Sequence, residues 1–334
     1  MVVAALHGPC AGGQLASEPE DSSDEGHGGA GSSGGGGTAA GGAATLVTLA
    51  SGQTCPWGMV IDSTSVYWTT CGDPTGGFVL KVPKAGGPVT TLASGDRLSG
   101  IAVDATSVYW IAGTPDASSG AVMKVALGGG AVTTLATRSG DPANVAVDDT
   151  SVYWTEQTAG AVMKVPLTGG TPSVVTTANS PWDIALDATN VYWTSTVDGV
   201  MKAPKGGGAA TALSTPGPTL PTAGIAVNAT NVYWGSQFPA GVSTVPVQGG
   251  PQSVVYAETM ATAAGALALE ETSLYWADMS NAVHAGPLGG GTAVTLATGQ
   301  SEVNAIAVDA TSVYLLVNGY PSNGQGSVVM LTPK

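Results

Sequence analysis

The chain has 334 residues and a formal net charge of −14, and only 10% of its residues are charged although 43% are hydrophobic. Its Lys and Arg residues number nine, which disfavours a nucleic-acid partner and an anionic membrane surface, because both are bound by clustered cations. No apolar run approaches the roughly 20 residues that a membrane-spanning helix needs, so we predict no transmembrane helix.

The first ten residues have some features of an export signal. Residues 2–6 are apolar, although the run is short and no basic residues precede it. Cys10, followed by a Gly-rich acidic segment, resembles the start of a bacterial lipoprotein, with Pro9 where a small residue is usual. We therefore expect a protein exported by a bacterium: periplasmic, secreted or an outer-membrane lipoprotein. Lipidation of Cys10 and a true start further upstream are both open alternatives.

Residues 11–43 differ in composition from the rest of the chain. They are mostly Gly, Ala and Ser, with an acidic cluster between positions 18 and 25. Such a segment has almost no apolar surface to bury, so it cannot offset the conformational entropy that ordering would cost. We interpret it as a disordered tether that precedes one domain at residues 44–334.

The domain contains seven copies of a Val-Tyr-Trp motif or a variant of it. The sixth copy begins with leucine, at Leu274, and the seventh ends with leucine, at Leu315. The seven tyrosines, 42, 44, 39, 41, 42 and 39 residues apart, are Tyr67, Tyr109, Tyr153, Tyr192, Tyr233, Tyr275 and Tyr314. A period of about 40 residues that contains β-branched and aromatic residues is typical of a β-propeller.

Each repeat contains four strand-like segments, which we name A to D in chain order. In the third copy these are residues 144–148, 151–155, 161–166 and 173–177. Four antiparallel strands form one propeller blade. The domain opens with a D-like segment, residues 45–50, and closes with a C-like segment, residues 327–332, so the first strand completes the last blade. The predicted fold is therefore an all-β, seven-bladed propeller closed by its N-terminal strand.

The repeat resembles a known type of propeller. IAVD at residues 101–104, followed by VYW at 108–110 and VMKV at 122–125, is similar to the YWTD-type and NHL-type repeats. LYWAD at residues 274–278 is the nearest single match to the YWTD form. YWTD propellers have six blades, however, and the Asp that closes their motif is absent from most copies here. The resemblance implies a rigid disc that binds a protein or a small ligand.

The connections between the segments differ in how much they vary. The A–B and C–D turns are nearly uniform, whereas the D–A and B–C connections change from copy to copy. Propeller geometry places both variable sets on one face, and binding residues tend to lie on loops held by a rigid scaffold. We therefore predict a tethered, monomeric protein, not an enzyme, that binds a protein or small-molecule partner on that face. The candidate binding residues are Trp57, Arg97, Asp141, Trp182, Asp183, Glu302 and Asn304.

The rival hypothesis is a metal-assisted lyase or hydrolase. The repeat pattern is also similar to that of seven-bladed lyases that open cyclic streptogramin antibiotics, which implies a histidine and acidic residues at a metal-assisted site. Here Asn144, Asp183 and Asn304 would hold a cation such as calcium at the channel mouth. These are too few oxygen ligands for calcium, and His284 has no second histidine near it in sequence, so we expect no cofactor. A structural surface protein is a third alternative.

Two repeated polar positions are more simply structural. The residue that ends each A segment has Thr two positions later, which is typical of a capped turn. The lysine that recurs in the C segments is expected to lay its stem on apolar surface and to keep its amine in water. The A-segment residues are Asp62, Asp104, Asp148, Asp187, Asn228, Glu270 and Asp309. The C-segment residues are Lys81, Lys124, Lys164, Lys202, Thr244, Ala285 and Leu331.

Two cysteines flank the first A–B hairpin. With the turn at residues 63–64, Cys55 faces Gly72, within one position of Cys71. A bulge or a one-residue shift would bring the two sulfurs within bonding range. We therefore predict a disulfide between Cys55 and Cys71, which requires an oxidising compartment.

Overall fold

The computed structural model describes residues 44–71, 76–114, 119–139, 142–214, 223–237, 240–258, 264–319 and 325–334. These residues form 28 β-strands in seven four-stranded antiparallel sheets and contain no helix. None of them therefore belongs to a helix that could span a membrane. The predicted seven-bladed propeller is confirmed, whereas the expected export remnant and tether, residues 1–43, lie outside the described residues.

The strands of each blade follow the predicted order A to D, and the blades are numbered one to seven in chain order. The A strands are β2 (Pro56–Ile61), β6 (Leu98–Val103), β10 (Pro142–Val147), β14 (Pro181–Leu186), β18 (Ala223–Val227), β22 (Ala264–Leu269) and β26 (Val303–Val308). The B strands are β3 (Ser65–Thr70), β7 (Ser107–Gly113), β11 (Ser151–Glu156), β15 (Asn190–Ser195), β19 (Asn231–Gln237), β23 (Ser273–Asp278) and β27 (Val313–Val317). The C strands are β4 (Gly77–Pro83), β8 (Ser119–Ala126), β12 (Ala161–Pro166), β16 (Gly199–Pro204), β20 (Ala240–Pro246), β24 (Val283–Pro287) and β28 (Gln325–Thr332). The D strands are β5 (Thr90–Gly95), β9 (Thr133–Ser139), β13 (Ser173–Thr177), β17 (Thr211–Ala212), β21 (Ser253–Ala257), β25 (Val294–Ala297) and, for blade seven, β1 (Thr45–Thr54).

The A strands form the inner ring of the disc, in which each contacts the A strands of the two adjacent blades. The B strands carry the repeated aromatic residues, whose side chains alternate between the two faces of the blade. Every Tyr and Trp of this motif is at most 5% exposed. Each face of a blade is covered by a neighbouring blade, which explains why so much of the chain is hydrophobic and so little is charged.

The ring is closed by pairing between the two ends of the domain. Strand β1 pairs antiparallel with β28, with Thr45 opposite Thr332 and Thr54 opposite Gln325. Two register shifts along β1 interrupt the ladder between these ends. The first strand of the domain thus supplies the outer strand of the last blade, as predicted.

The acidic residue at the end of an A strand caps the A–B turn and also binds the tyrosine of the next strand. Asp62 Oδ1 accepts hydrogen bonds from the backbone N–H groups of Thr64 (2.6 Å) and Ser65 (2.7 Å). Its Oδ2 accepts a hydrogen bond from Tyr67 Oη (2.8 Å). Equivalent carboxylate–tyrosine bonds join Asp104 to Tyr109 (2.7 Å), Asp187 to Tyr192 (2.5 Å) and Asp309 to Tyr314 (2.9 Å). Burial alone would raise the pKa of these carboxyls, but the donated hydrogen bonds outweigh it and the pKa is lowered.

The lysines of the C strands join neighbouring blades, which corrects the expectation that their amines lie in water. Each side chain is partly buried, and its amine donates to a backbone carbonyl of the next blade. The bonds are Lys81 to Leu127 O (3.0 Å), Lys124 to Leu167 O (3.3 Å), Lys164 to Lys205 O (2.7 Å) and Lys202 to Val247 O. In the seventh copy Met330, and not Leu331, faces Tyr314, because the longer B–C connection obscures the register in the sequence.

The junctions that follow blades six and seven lack a lysine on the C strand and receive one from the following blade. Lys84 of blade one forms an ion pair with Asp309 of blade seven (2.7 Å), and its amine lies 4.9 Å from the ring centroid of Tyr314. Lys334 of blade seven pairs in the same way with Glu270 of blade six. An amine is therefore placed over the tyrosine ring from either side of the junction, and one from the following blade also pairs with the carboxylate.

The junction between blades five and six lacks both charges. Asn228 stands where the other blades have an acid, and Thr244 stands where blades one to four have lysine. Tyr233 Oη instead donates to Leu288 O of blade six (3.3 Å). The other six junctions each have both a lysine and an acid, which form an ion pair at three of them, whereas both are missing here.

Blade six fills its interface with blade five in its own way. The ring of Tyr256 stacks on Trp276, with centroids 4.4 Å apart, and its Oη donates to Pro287 O (2.6 Å). A Cβ on Gly286 would lie 2.2 Å from Tyr256 Oη. The position of Gly286 holds valine, alanine or leucine in the other blades, and the position of Tyr256 holds alanine in blades one, two, six and seven. A large and a small residue have therefore exchanged places.

We expect Gly286→Val and Tyr256→Ala each to destabilise the protein, and the double substitution to recover much of the loss. The valine collides with the tyrosine, at a cost of about 1–3 kcal/mol for an overpacked core. The alanine leaves a cavity, at roughly 3–5 kcal/mol for a truncated aromatic side chain. The double variant restores the Ala–Val combination that the junction between blades one and two has in Ala93 and Val125. Denaturant unfolding measures the coupling, and simply additive losses would contradict a shared space.

Candidate binding face

The connections between strands lie on two opposite faces of the disc. The loop face is formed by the D–A and B–C connections, and the turn face by the A–B and C–D connections. Trp57 and Trp182 are half-buried on the loop face, each as the second residue of an A strand. Arg97 and Glu302 are exposed on the same face. Asp141 lies outside the described residues.

Four D–A corners have one backbone geometry but carry different side chains. Arg97 and Glu302 are the last residues before an A strand and have left-handed backbone, with φ of 40° and 29°. Cys55 (46°) and Ser180 (41°) have this conformation at the same position of blades one and four. Non-glycine residues rarely adopt it, so the tight corner is imposed by the strands that it joins. Such a corner presents variable residues on a constant scaffold.

Asp183 belongs to the packing between blades, which corrects its expected place on the binding surface. It is 2% exposed. Its Oδ1 accepts from Asn144 Nδ2 and from the backbone N–H of Ile184 (2.9 Å), and its Oδ2 accepts from the backbone N–H of Ile225 (3.0 Å). One carboxylate therefore connects blades three, four and five, and a partner could not contact it directly.

The rival hypothesis places Asn144, Asp183 and Asn304 around one cation. Asn144 and Asp183 bind each other, whereas Asn304 lies on blade seven and donates from Nδ2 to Pro56 O of blade one (2.7 Å). Asn304 therefore has a partner of its own, apart from the Asn144–Asp183 pair that this hypothesis would join to it. Among the described residues, no group of three or more His, Cys, Asp and Glu side chains is placed to hold a metal ion.

The predicted disulfide is present in blade one. The Cα atoms of Cys55 and Cys71 are 5.5 Å apart, and the backbone N–H of Cys71 donates to Cys55 O (2.9 Å). A register shift between Pro56 and Met59 moves Cys55 opposite Cys71. The bulge that the prediction allowed for is thus the feature that aligns the two sulfurs, and the bond ties the first D–A corner to the first B–C loop.

The B–C loop of blade four presents an exposed apolar residue on a fixed support. The hydroxyl of buried Ser195 donates to Asn179 O (2.5 Å). The same hydroxyl accepts from the backbone N–H groups of Val197 (3.1 Å) and Asp198 (2.9 Å). Asn179 Nδ2 in turn donates to Asp198 Oδ2 (2.9 Å). These bonds hold the loop while Val197 remains 55% exposed.

The B–C loop of blade six is built on the same principle. Buried Asp278, at the position equivalent to Ser195, accepts from the backbone N–H groups of Ser280 (2.9 Å) and Ala282 (2.9 Å). Its Oδ2 also lies 3.1 Å from His284 Nε2. The loop presents Met279, which is 62% exposed. Two loops thus use a buried polar residue at the end of strand B to position an exposed apolar side chain.

Sequence reasoning did not identify Val197 and Met279. A signal was present, because each is the one large apolar residue of a short polar connection, TVD at 196–198 and MSN at 279–281. Exposed Phe78, near the start of β4, was missed as well. Strand residues of this kind are usually buried in a propeller, so only the packing shows that Phe78 is not.

The turn face contains a cavity of about 880 Å³ at the end of the channel. It is lined by the A–B turns of blades one to four, including the carboxylates of Asp62, Asp104 and Asp187. These carboxylates already accept hydrogen bonds from their turns and from the B-strand tyrosines. We therefore assign them a structural role.

No protein-family model and no curated protein matches the chain. Solved structures match it in fold. YCF48 bound to a D1 peptide is 11% identical with a TM-score of 0.64, and the match covers 87% of this chain and 95% of that chain. The WD40 β-propeller domain of Doa1 is 11% identical with a TM-score of 0.63, and the match covers 85% and 96%. A chain of the nidogen/laminin complex is 18% identical with a TM-score of 0.50, and the match covers 74% and 90%.

At these identities the likeness shows the β-propeller fold alone. Whether the repeats are of the YWTD type or the NHL type stays a prediction.

We expect Asp183 to make the folded protein less stable as the pH rises from about 4 to about 7. Burial raises the pKa of Asp183 to about 7 from an ordinary value of 3.8, although its three hydrogen-bond donors oppose the shift. Between these values the folded carboxyl keeps a proton that the unfolded one has lost, so rising pH favours unfolding. The stability advantage of the wild type over Asp183→Asn should therefore shrink across this interval.

Asp187→Asn is the matched control, four residues further along blade four. Burial alone would raise the pKa of Asp187, but hydrogen bonds from Tyr192 and the turn lower it. The contribution of Asp187 to stability is therefore present when the pH is above the ordinary pKa of aspartate, and it is lost only as the pH falls below that value. Denaturant unfolding should give a constant difference between wild type and Asp187→Asn over the same interval. A pH-independent difference for Asp183→Asn would refute the assignment.

Proposed function

We propose that this protein is an exported binding protein that recognises a protein partner through its loop face. The observation that carries the proposal is the pair of loops that present Val197 and Met279 from buried polar supports. A fixed apolar side chain in water does not stabilise the fold, so an interface explains it better. A loop that is already ordered also loses less conformational entropy on binding.

The rest of the loop face supports the same role. Trp57 and Trp182 each leave part of the side chain accessible, and Trp is enriched among the residues that dominate interface energy. Phe78 adds a third exposed aromatic side chain. Elsewhere in the described residues, the large exposed apolar side chains are valines on or beside the outer strands, which need no functional explanation.

Export is supported by the disulfide, because such bonds form and persist in oxidising compartments. We propose residues 1–10 as the remnant of an export signal and residues 11–43 as a tether for the propeller. Two of the similar structures are complexes, nidogen with laminin and YCF48 with a D1 peptide. Partner binding is thus a role that this fold can serve.

A peptide library selected against the full chain tests the binding face. The chain is immobilised through residues 11–43, so that both faces are accessible. We expect the selected peptides to bind at least about tenfold more weakly to Trp182→Ala and Val197→Ser, as for truncated interface anchors. Val132→Ser, at a 43% exposed valine beside the turn face, is the matched control and should bind normally.

Thermal unfolding monitored by circular dichroism checks that each variant is folded at the assay temperature. The proposed binding face would be overturned if neither Trp182→Ala nor Val197→Ser changed the affinity of the peptides. It would also be overturned if Val132→Ser reduced that affinity as much as they do.

The disulfide tests the proposed location. Non-reduced peptides from protein made in a bacterial periplasm should contain Cys55 linked to Cys71, as detected by mass spectrometry. Removing the bond by Cys55→Ser with Cys71→Ser should cost roughly 3 kcal/mol of stability, the chain-entropy value for a loop of about 15 residues. Two separately alkylated cysteines in the periplasmic protein would argue against both the bond and export.

A further inference from the structure

The described part of the loop face carries mostly negative charge. Its D–A and B–C connections contain four acidic residues and one basic residue among the described residues. The basic residue is Arg97, and the acidic ones are Asp96, Asp198, Glu258 and Glu302. The partner therefore meets a surface with an excess of carboxylates.

The lysines of the chain do not compensate this charge, because all seven are used at blade junctions beside the turn face. Four donate to the first carbonyl of the next C–D turn, and three lie in or after that turn and pair with an acid of the preceding blade. They are Lys81, Lys84, Lys124, Lys164, Lys202, Lys205 and Lys334. The lysine amines therefore all lie toward the turn face.

Within the described part of the chain, two loop-face carboxylates accept hydrogen bonds only from neutral groups. Asp198 accepts from Asn179 Nδ2 (2.9 Å), and Glu302 accepts from Asn318 Nδ2 (3.0 Å). An ionised carboxylate has about four acceptor sites, so each retains capacity for a charged donor. Asp198 also follows Val197 on the loop that Ser195 fixes, so an apolar and an acidic group are presented side by side.

We infer that the loop face binds a basic segment of a protein, whose Arg or Lys side chains pair with Asp198, beside the apolar surface of Val197 on blade four, and with Glu302 on blade seven. The inference rests on the proposed function and names the kind of partner. Arginine fits this surface best, because guanidinium binds carboxylates in a bidentate manner and stacks on aromatic rings such as that of Trp182. An acidic partner would bring like charges together.

Three fluorescent peptides of one length and one aromatic content test the inference, with Arg, Gln or Glu at their variable positions. Fluorescence anisotropy against the full chain should show the tightest binding for the Arg peptide and the weakest for the Glu peptide. Added salt should weaken the binding of the Arg peptide most. Asp198→Asn and Glu302→Gln should each weaken the Arg peptide several-fold and leave the Gln peptide unchanged.

Asp149→Asn is the matched control, since it removes one exposed carboxylate from the turn face. It should change the affinity of the Arg peptide much less than Asp198→Asn does. If both variants lost the same affinity for the Arg peptide, the peptide would be responding to net charge alone, and the inference would be overturned.

The two proposals can fail separately. If Trp182→Ala weakens all three peptides while their charge has no effect, the loop face binds proteins without a basic preference, and only the inference is wrong. If no peptide responds to Trp182→Ala, the proposed binding face itself fails.

Discussion

The structure depends on a hydrogen bond from a tyrosine hydroxyl to a carboxylate, and on a lysine amine over the ring of that tyrosine, at the junctions between blades. Asp62 shows the arrangement: it caps its own turn and accepts a hydrogen bond from Tyr67, whose ring centroid lies 5.3 Å from the amine of Lys81. The amine in turn donates to Leu127 O of blade two, so the polar groups are satisfied where they are partly removed from water. A junction that lost only the amine or only the acid would bury an uncompensated charge.

The two faces of the disc differ in how much they contribute to these junction contacts. The turn face supplies the caps, the carbonyls that receive the lysines and the glycine-rich C–D turns, so its residues are committed to holding the ring together. The loop face is released from that requirement. Its corners keep a common backbone while their side chains change from Cys55 to Arg97 to Glu302. Ser195 and Asp278 then use buried hydrogen bonds to fix loops whose exposed residues contribute little to the fold.

Asp183 shows that variation among repeats is not by itself a sign of a binding residue. Most blades have glycine or alanine at this position, and blade two shows why a small residue is needed there. A Cβ on Gly100 would lie 2.6 Å from Asn144 Oδ1. Asn144 and Asp183 replace two such small residues together and satisfy each other's polar atoms across the junction. The exchange of Tyr256 for Gly286 is the apolar counterpart, a change in one blade that is compensated in the next.

Much of the architecture could be predicted from the sequence. The tyrosine period, the order of the four strands and the solitary D strand at the start of the domain determined seven closed blades, because all three depend only on order along the chain. Cys55 and Cys71 could be paired to within one position for the same reason, since both belong to one hairpin. The environments of Asp183, of the lysine amines and of Val197 could not be predicted. Whether each of these side chains is covered depends on packing against an adjacent blade or loop, and in a propeller the covering residues come from another repeat. The sequence by itself determined the blades and their closure; only the tertiary structure decided which polar residues hold blades together and which side chains face a partner.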